Sequence, residues 1–541
     1  MHADLLFTGG PVLTPEGRTA TAVAVTGDRI TAVGHASLRE LAGPRTEVVD
    51  LAGRLLLPGF QDAHVHPVPA GLELSRCDLS GATTAEATVA AVRAYADAHP
   101  EREWILGGGW SMEAFAGGTP TKELLDAVVP DRPVYLPNRD HHGAWVNSRA
   151  LELAGVGPDT PDPADGRIER DASGAPAGTL QEGAMRLVGR LAPPATAADR
   201  LAALLRAQRH LHALGITAWQ DALVGDFLGM DDPAQAYLTA AQDGSLTARV
   251  VGALWWDRER GGEQIPELVD KRAAFSRGRF RAGAVKLMLD GVAENHTAAL
   301  LDPYLDRCGC VTANRGTSFI DPDRLREYVT ELDALGFQCH FHALGDRAVR
   351  DALDAIEAAR AAGGPGDTRP HLAHLQVVHP DDVPRFARLG ATATVQPLWA
   401  AHEPQMDELT IPFLGRERAA RQYPFGSLLR SGARLAAGSD WPVSSPDPLQ
   451  GVHVAVNRVE PGGTGPVFLP DERLRLTDAL TAYTAGSAYV NHLDDAGRVA
   501  VGALADLVVL DRDPFAGLPE SIAETAVALT YVGGECVYAA E

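Results

Sequence analysis

From about residue 210 onward, short apolar runs alternate with stretches in which apolar positions recur every three or four residues. The runs are GITAWQDA, RVVGALWW, AGAVKLML, FQCHFHA, RPHLAHLQVV, ATATVQPLW and RLAAGSD. Several are apolar at successive positions, as expected of strands buried on both faces. Between them lie DPDRLREYVTELDALG and GDRAVRDALDAIEAARAAG, whose spacing predicts amphipathic helices. With LLLPGFQDAHVH near residue 60 there are eight such strands. Repeated strand and helix of this kind predict an α/β fold built on a closed parallel (β/α)8 TIM-like barrel. Setting aside an insertion at roughly 68–210, residues 55–445 leave about 250 residues, the usual size of such a barrel.

The two ends have a different texture. DLLFTGG, TAVAVTGDRITAVG and TEVVDLAGRLLLPG at the start, and GALADLVVLDRDP and AVALTYVGGECVYA at the finish, are short strands broken by Gly, Pro and Asp. They predict a composite β-sandwich formed by both chain termini. The organisation expected is therefore residues 1–57 as its first part, 58–445 as the barrel, 446–490 as a helical return segment, and 491–541 as its second part. The insertion leaves from the downstream end of the first strand, the face on which barrels of this type build active sites, so it is expected to wall the pocket. It carries GGGW, HHGAWVNS and a hairpin-like DGRIERDASGAPAG; Trp110, Trp145 and, from the barrel, Trp399 are expected pocket walls.

Composition narrows the function. At 541 residues and 45% hydrophobic content the chain can bury a large core. A net charge of -23 argues against nucleic-acid binding, which needs clustered cations. Five scattered cysteines without a Cys-x-x-Cys pair suit a reducing compartment. The first residues show no basic stretch followed by an apolar run, and no apolar segment has membrane-spanning length, so a cytoplasmic location is expected. The expected partner is a small-molecule substrate, with neither nucleic acid nor membrane, and a homo-oligomer is compatible with the sequence.

Candidate chemistry gathers at the downstream ends of the strands. PGFQDAHVHP sets His64 and His66 two apart, on one side of a strand, where two imidazoles can share a metal. Among 18 histidines such a pair arises readily by chance, and an isolated histidine is ordinarily a satisfied core residue. The case rests on recurrence: Lys286, His342, His374 and Asp440 end other strands, and burying so many ionisable groups together is costly unless they bind metal. His340 shares its strand face with His342, which is preferred as the nearer to the strand's end. Of 48 basic residues only Lys122, Lys271 and Lys286 are lysines, and Lys286 interrupts an apolar strand. A desolvated amine can lose its proton and add carbon dioxide, giving a carbamate able to bridge two metals; arginine cannot. The plainer alternative is a lysine reaching a carboxylate on a helix.

Together, LLPGFQDAHVHP, HHGAWVNSRALELAGV, GITAWQDA, GAVKLMLDG, FHALGDRAV, GSDWPV and GALADLVVLD resemble the amidohydrolase superfamily over nearly the whole chain. More narrowly, they resemble its third large branch, which includes N-substituted formamide deformylases. The resemblance implies that His64, His66 and Asp440 hold the more buried metal, and that Lys286, as a carbamate, bridges to a second bound by His342 and His374. It implies one or two divalent ions, Zn2+ foremost, and hydrolysis of a non-peptide carbon-nitrogen bond in a small N-acyl or N-formyl amide by a zinc-activated water. Asp440 is then the catalytic proton carrier and His142 a candidate oxyanion donor; a histidine merely bracing the insertion is the other reading of His142. A deaminase or cyclic-amide hydrolase would use the same centre, and a non-catalytic barrel scaffold is the third reading. Two departures stand out: Asp140 and His141 replace small residues ahead of His142, and His374 lies in HLAHLQ.

Overall fold

The computed structural model describes residues 2–227, 231–364 and 366–540. Eight parallel strands run in chain order: Phe60–Val65, Ile216–Val224, Arg249–Trp255, Phe280–Met288, Gln338–Ala343, His371–His374, Thr392–Val395 and Arg434–Ala437. Each pairs with its predecessor, so the barrel follows the order of the sequence. The helices expected between them form over Pro322–Ala334 and Asp346–Gly363. In the first, the Asp321 carboxylate accepts from the backbone N–H of Asp323 and Arg324, and Leu325, Val329 and Leu332 face inward at helical spacing.

The eighth and first strands meet through single bonds and a shared carboxylate. Asp440 N–H donates to the His64 carbonyl at 2.7 Å, and His66 N–H donates to the Trp441 carbonyl at 2.9 Å. Buried Asp62 accepts from His64 N–H and from both the backbone N–H and hydroxyl of Ser439. Gly438 makes this approach possible: a Cβ there would lie 2.7 Å from His64 N and 3.0 Å from an Asp62 carboxylate oxygen.

The insertion carries its own six-stranded sheet, in the order Gly166–Arg170, Pro176–Glu182, Gly143–Val146, Val134–Pro137, Ile105–Gly108, Cys77–Asp78. The hairpin read from DGRIERDASGAPAG forms, its turn held by the Asp171 carboxylate accepting from Ser173 and Ala175 N–H. Helix Ala197–Ala213, within the stretch attributed to the insertion, leads into the second barrel strand and packs on helix Pro67–Glu73. A Cβ at Gly71 would lie 2.2 Å from the Ala203 carbonyl, so only glycine permits that crossing.

Both ends of the chain enter one further sheet. Leu56–Pro58 pairs antiparallel with Leu507–Leu510, joining the N-terminal strands Leu5–Thr14, Gly17–Thr26 and Arg29–Gly34 to Val527–Val532 and Glu535–Ala539. Phe7, Val23, Leu56, Val509 and Tyr531 share one buried cluster, so the two ends are packed as well as paired. Among the described residues no helix is long and apolar enough to cross a membrane.

Gly438→Ala tests the seam. With backbone on one side and a hydrogen-bonded carboxylate on the other, the added methyl is expected to lower stability by about 1–3 kcal/mol in denaturant unfolding. A variant as stable as the parent would show that the seam has slack.

Candidate metal centre

All seven side chains singled out from the sequence, His64, His66, His142, Lys286, His342, His374 and Asp440, line one cavity at the downstream ends of the strands. Parallel register accounts for part of this: Met288 lies opposite His342, and Ala343 opposite His374. His374 and Asp440 fall where the backbone leaves the strand, at φ +82° and +57°, a region L-residues occupy at a cost of roughly 1–3 kcal/mol. Such strain is held at His374 by its N–H donating to the Gln396 side chain at 2.9 Å.

The Asp440 carboxylate is the hub. One oxygen lies 3.1 Å from His64 Nε2 and 3.0 Å from His66 Nε2; the other is 4.0 Å from His374 Nδ1. Lys286 Nζ is 3.4 Å from His64 Nε2. Burial opposes ionisation of Asp440, yet the facing His64 and His66 rings hold its carboxyl well below the usual range. Burial pushes His64 down to about 3 and holds His342 and His374 far below the ordinary imidazole value, so these rings are neutral and their lone pairs available. Burial likewise brings Lys286 down to about 7.

Beneath the hub lies a polar layer that fixes which nitrogen of His64 carries its proton. The Gln338 amide N–H groups donate to two carbonyls, of Arg369 and Val490, so its side-chain oxygen accepts from the Gln220 amide at 2.9 Å. The Gln220 oxygen must then accept from His340 Nδ1 at 2.7 Å and from His371 Nε2 at 2.9 Å. His340 Nε2 is left as an acceptor and takes the proton of His64 Nδ1 at 2.9 Å. With its proton on Nδ1, His64 turns the Nε2 lone pair toward Asp440, so the hold between these two atoms, 3.1 Å apart, comes from positive charge between them: a proton, which burial disfavours on His64, or a cation. His374 Nδ1 and Nε2, His342 Nε2 and His66 Nδ1 are also buried without hydrogen-bond partners. His64, His374 and Asp440 bring ligand atoms within 4.8 Å of one another. This donor set fits a divalent cation.

Sequence reading missed the layer because His340, His371, Gln220 and Gln338 were weighed as ligands or not at all. The available signal was the strand period of two: His340 lies two residues before His342, on the same face and one layer deeper. It also missed Glu182, whose carboxylate lies 3.0 Å from His142 Nδ1 and accepts from the Thr297 hydroxyl at 2.8 Å. Burial opposes protonation of His142, but Glu182 outweighs it and raises the ring to about 9. The expected aromatic walls need correction. Trp110 and Trp145 are buried in the core of the insertion, where their indole N–H groups donate to the carbonyls of Leu136 and Thr121. An amphipathic ring with its one donor satisfied by nearby backbone has no reason to face a cavity. Trp399 stacks on His374, with centroids 5.3 Å apart, while Trp255 and Phe227 supply the aromatic lining.

Gln220→Leu removes the acceptor shared by two buried N–H groups, costing about 1–3 kcal/mol of stability. It also frees the His64 tautomer, and metal affinity is expected to fall by about 10- to 100-fold in competition with a chromophoric chelator. Unchanged affinity would refute the relay.

Residues 47–538 match the profile of the Amidohydrolase family. The chain is 33% identical to Protein LONG AFTER FAR-RED 3 of Arabidopsis thaliana, over 99% of this chain and 92% of that one. It is 30% identical to N-substituted formamide deformylase of Arthrobacter pascens, over 99% and 98%. An uncharacterized metal-dependent hydrolase from Pyrococcus furiosus superposes with a TM-score of 0.70 at 28% identity, covering 94% of this chain and 99% of that one. The chain belongs to the amidohydrolase family of metal-dependent hydrolases.

Proposed function

We propose that this chain hydrolyses the carbon-nitrogen bond of a small N-acyl or N-formyl amide, with Zn2+ as its metal. The observation that carries the reading is the set of partnerless nitrogens on the neutral His342 and His374 rings beside one ionised carboxylate in a shared cavity. His64, His66 and Asp440 would hold one cation, His342 and His374 a second, with Lys286 between them. A divalent ion bound there supplies Lewis acidity and brings the pKa of water from 15.7 to about 7.

The chain's own groups supply the rest. Asp440, ionised in the resting state, accepts a proton from the attacking water and returns it to the departing amine nitrogen. His142, protonated at neutral pH and oriented by Glu182 and Thr297, offers its free Nε2–H to the carbonyl oxygen as negative charge grows there. Lys286, its amine brought down to about 7 by burial, adds through its Nζ lone pair to carbon dioxide with release of one proton, giving a carbamate. The 30% identical relative named N-substituted formamide deformylase supports the amide class.

The test is a screen of the metal-loaded protein against formamides, other amides, esters, lactones and cyclic ureas. Turnover of formamides or simple amides is expected; activity confined to ring deamination or cyclic ureas would overturn the deacylase reading. Lys286→Arg is expected to lose one metal equivalent by elemental analysis together with most activity. Full metal content in that variant would leave the lysine an ordinary structural role. The pH profile tests His142. Its donor role is complete below about 9 and disappears as pH rises past it. In Glu182→Gln the largest counterweight to burial is gone, leaving only Asp140 and Asp440, so the alkaline limb of kcat is expected to move down by on the order of one to three pH units. An unmoved limb would remove His142 from the reaction.

A further inference from the structure

Beside the metal cavity lies a larger chamber between the insertion and the barrel, and the two share Pro69, His141 and Phe227 as walls. Its lining is largely apolar, with Leu72, Leu106 and Met185 among its walls. Most fixed charges at its edge are already matched. Glu73 lies 3.1 Å from His141 Nε2, Arg186 meets Asp165 and Glu259, Asp231 meets Arg200, and the Asp226 carboxylate accepts from Asp232 N–H. Two arginines are exceptions, Arg190 exposed at the rim and Arg76 facing the chamber from a half-buried position: among the described residues the Arg76 guanidinium makes neither hydrogen bond nor ion pair.

An unmatched guanidinium in partly apolar surroundings is out of character for this protein. Elsewhere its shielded arginines are engaged: Arg249 with Asp506, Arg385 with Asp382 and Asp354, and Arg418 with three backbone carbonyls. Burial lowers the Arg76 pKa by more than the nearby Glu73, Asp231 and Asp199 raise it. A planar guanidinium with free donors is built to take a carboxylate through two parallel hydrogen bonds. Arg190, also on the lining and also without a partner among the described residues, adds a second positive charge at the rim.

We propose that this chamber is the subsite for the part of the substrate remote from the cleaved bond, and that it selects an apolar chain ending in a carboxylate, gripped by Arg76. The inference rests on the amide-hydrolase reading for which bond is cut, but not for what the chamber binds. Substrates of the proposed class are N-formyl or N-acyl amines whose alkyl or aryl portion carries a terminal carboxylate. Arg76 acts on specificity and takes no part in proton transfer.

Two measurements separate this from the catalytic reading. The first is calorimetric titration of the metal-loaded protein with hexanesulfonate, an anion that competes poorly for metals, and with 1-hexanol. Saturable binding of the sulfonate, at least tenfold tighter than the alcohol, is expected. It should weaken at least tenfold in Arg76→Gln and recover in part in Arg76→Lys, which keeps the charge should the glutamine variant prove poorly folded. Equal binding of the two probes, or equal sulfonate binding by parent and Arg76→Gln, would overturn the proposal. The second compares hydrolysis of N-formyl-6-aminohexanoate with N-formylhexylamine. A kcat/KM at least tenfold higher for the carboxylate, arising mainly in KM and collapsing in Arg76→Gln, is expected; parity in the parent would overturn it. Arg76-dependent sulfonate binding without turnover of either amide would refute the amide reading and leave the anion subsite standing.

Discussion

The structure depends on bringing the last barrel strand against the first closely enough for a carboxylate and two imidazoles to meet. Parallel strands reach their neighbours through evenly spaced bonds, but here closure is achieved by Asp62, which takes donors from His64 and Ser439, and by a glycine that leaves no side chain between them. The same backbone that closes the barrel ends in Asp440 at positive φ, aimed at His64 and His66. Closure and site assembly are thus one event. The strain at Asp440 is sustained by its N–H bond to His64 and by the fixed seam behind it.

A second consequence concerns charge. Five imidazoles, His64, His340, His342, His371 and His374, are buried within a few ångströms of one another around a buried lysine, an arrangement that repels protons. Neutral rings still need partners, and the lower layer solves this internally: amide, imidazole and hydroxyl groups saturate one another from the Arg369 and Val490 carbonyls up to His64. The upper layer does not: nitrogens of His66, His342 and His374, three residues of the cavity lining, lack hydrogen-bond partners. Satisfaction below and missing partners above divide one histidine cluster into a support and a layer whose nitrogens could take a cation.

That division explains what could be read from residues alone. All eight barrel strands were legible, because apolar runs and turn residues report local conformation; the two ends, read as a composite β-sandwich, are joined in one sheet. That His64, His66, Lys286, His342, His374 and Asp440 line one cavity was legible because polar residues at strand ends are anomalous. Gln220 and Gln338 were not, since one polar position in an apolar strand does not reveal whether its partner is solvent, backbone or another side chain two strands away. Trp110 and Trp145 misled for a related reason: GGGW and HHGAWVNS mark tight packing near the site, and aromatic bulk serves an insertion core as well as a pocket wall.

The scarcity of lysine finally sharpens the role of Lys286. Lys122 donates to the Pro176 carbonyl and lies beside Glu123, and Lys271 pairs with Glu267, all at partly exposed positions where arginine would serve nearly as well. Lys286 sits buried on the fourth strand, among the described residues with no carboxylate within salt-bridge distance, 3.4 Å from a neutral histidine. The alternative of a lysine reaching outward to a carboxylate on a helix has no counterpart among the described residues. In a chain that elsewhere chooses guanidinium, an amine is kept where loss of its proton is the useful property. Arginine cannot lose its proton there, and a shorter polar side chain would not reach the hub.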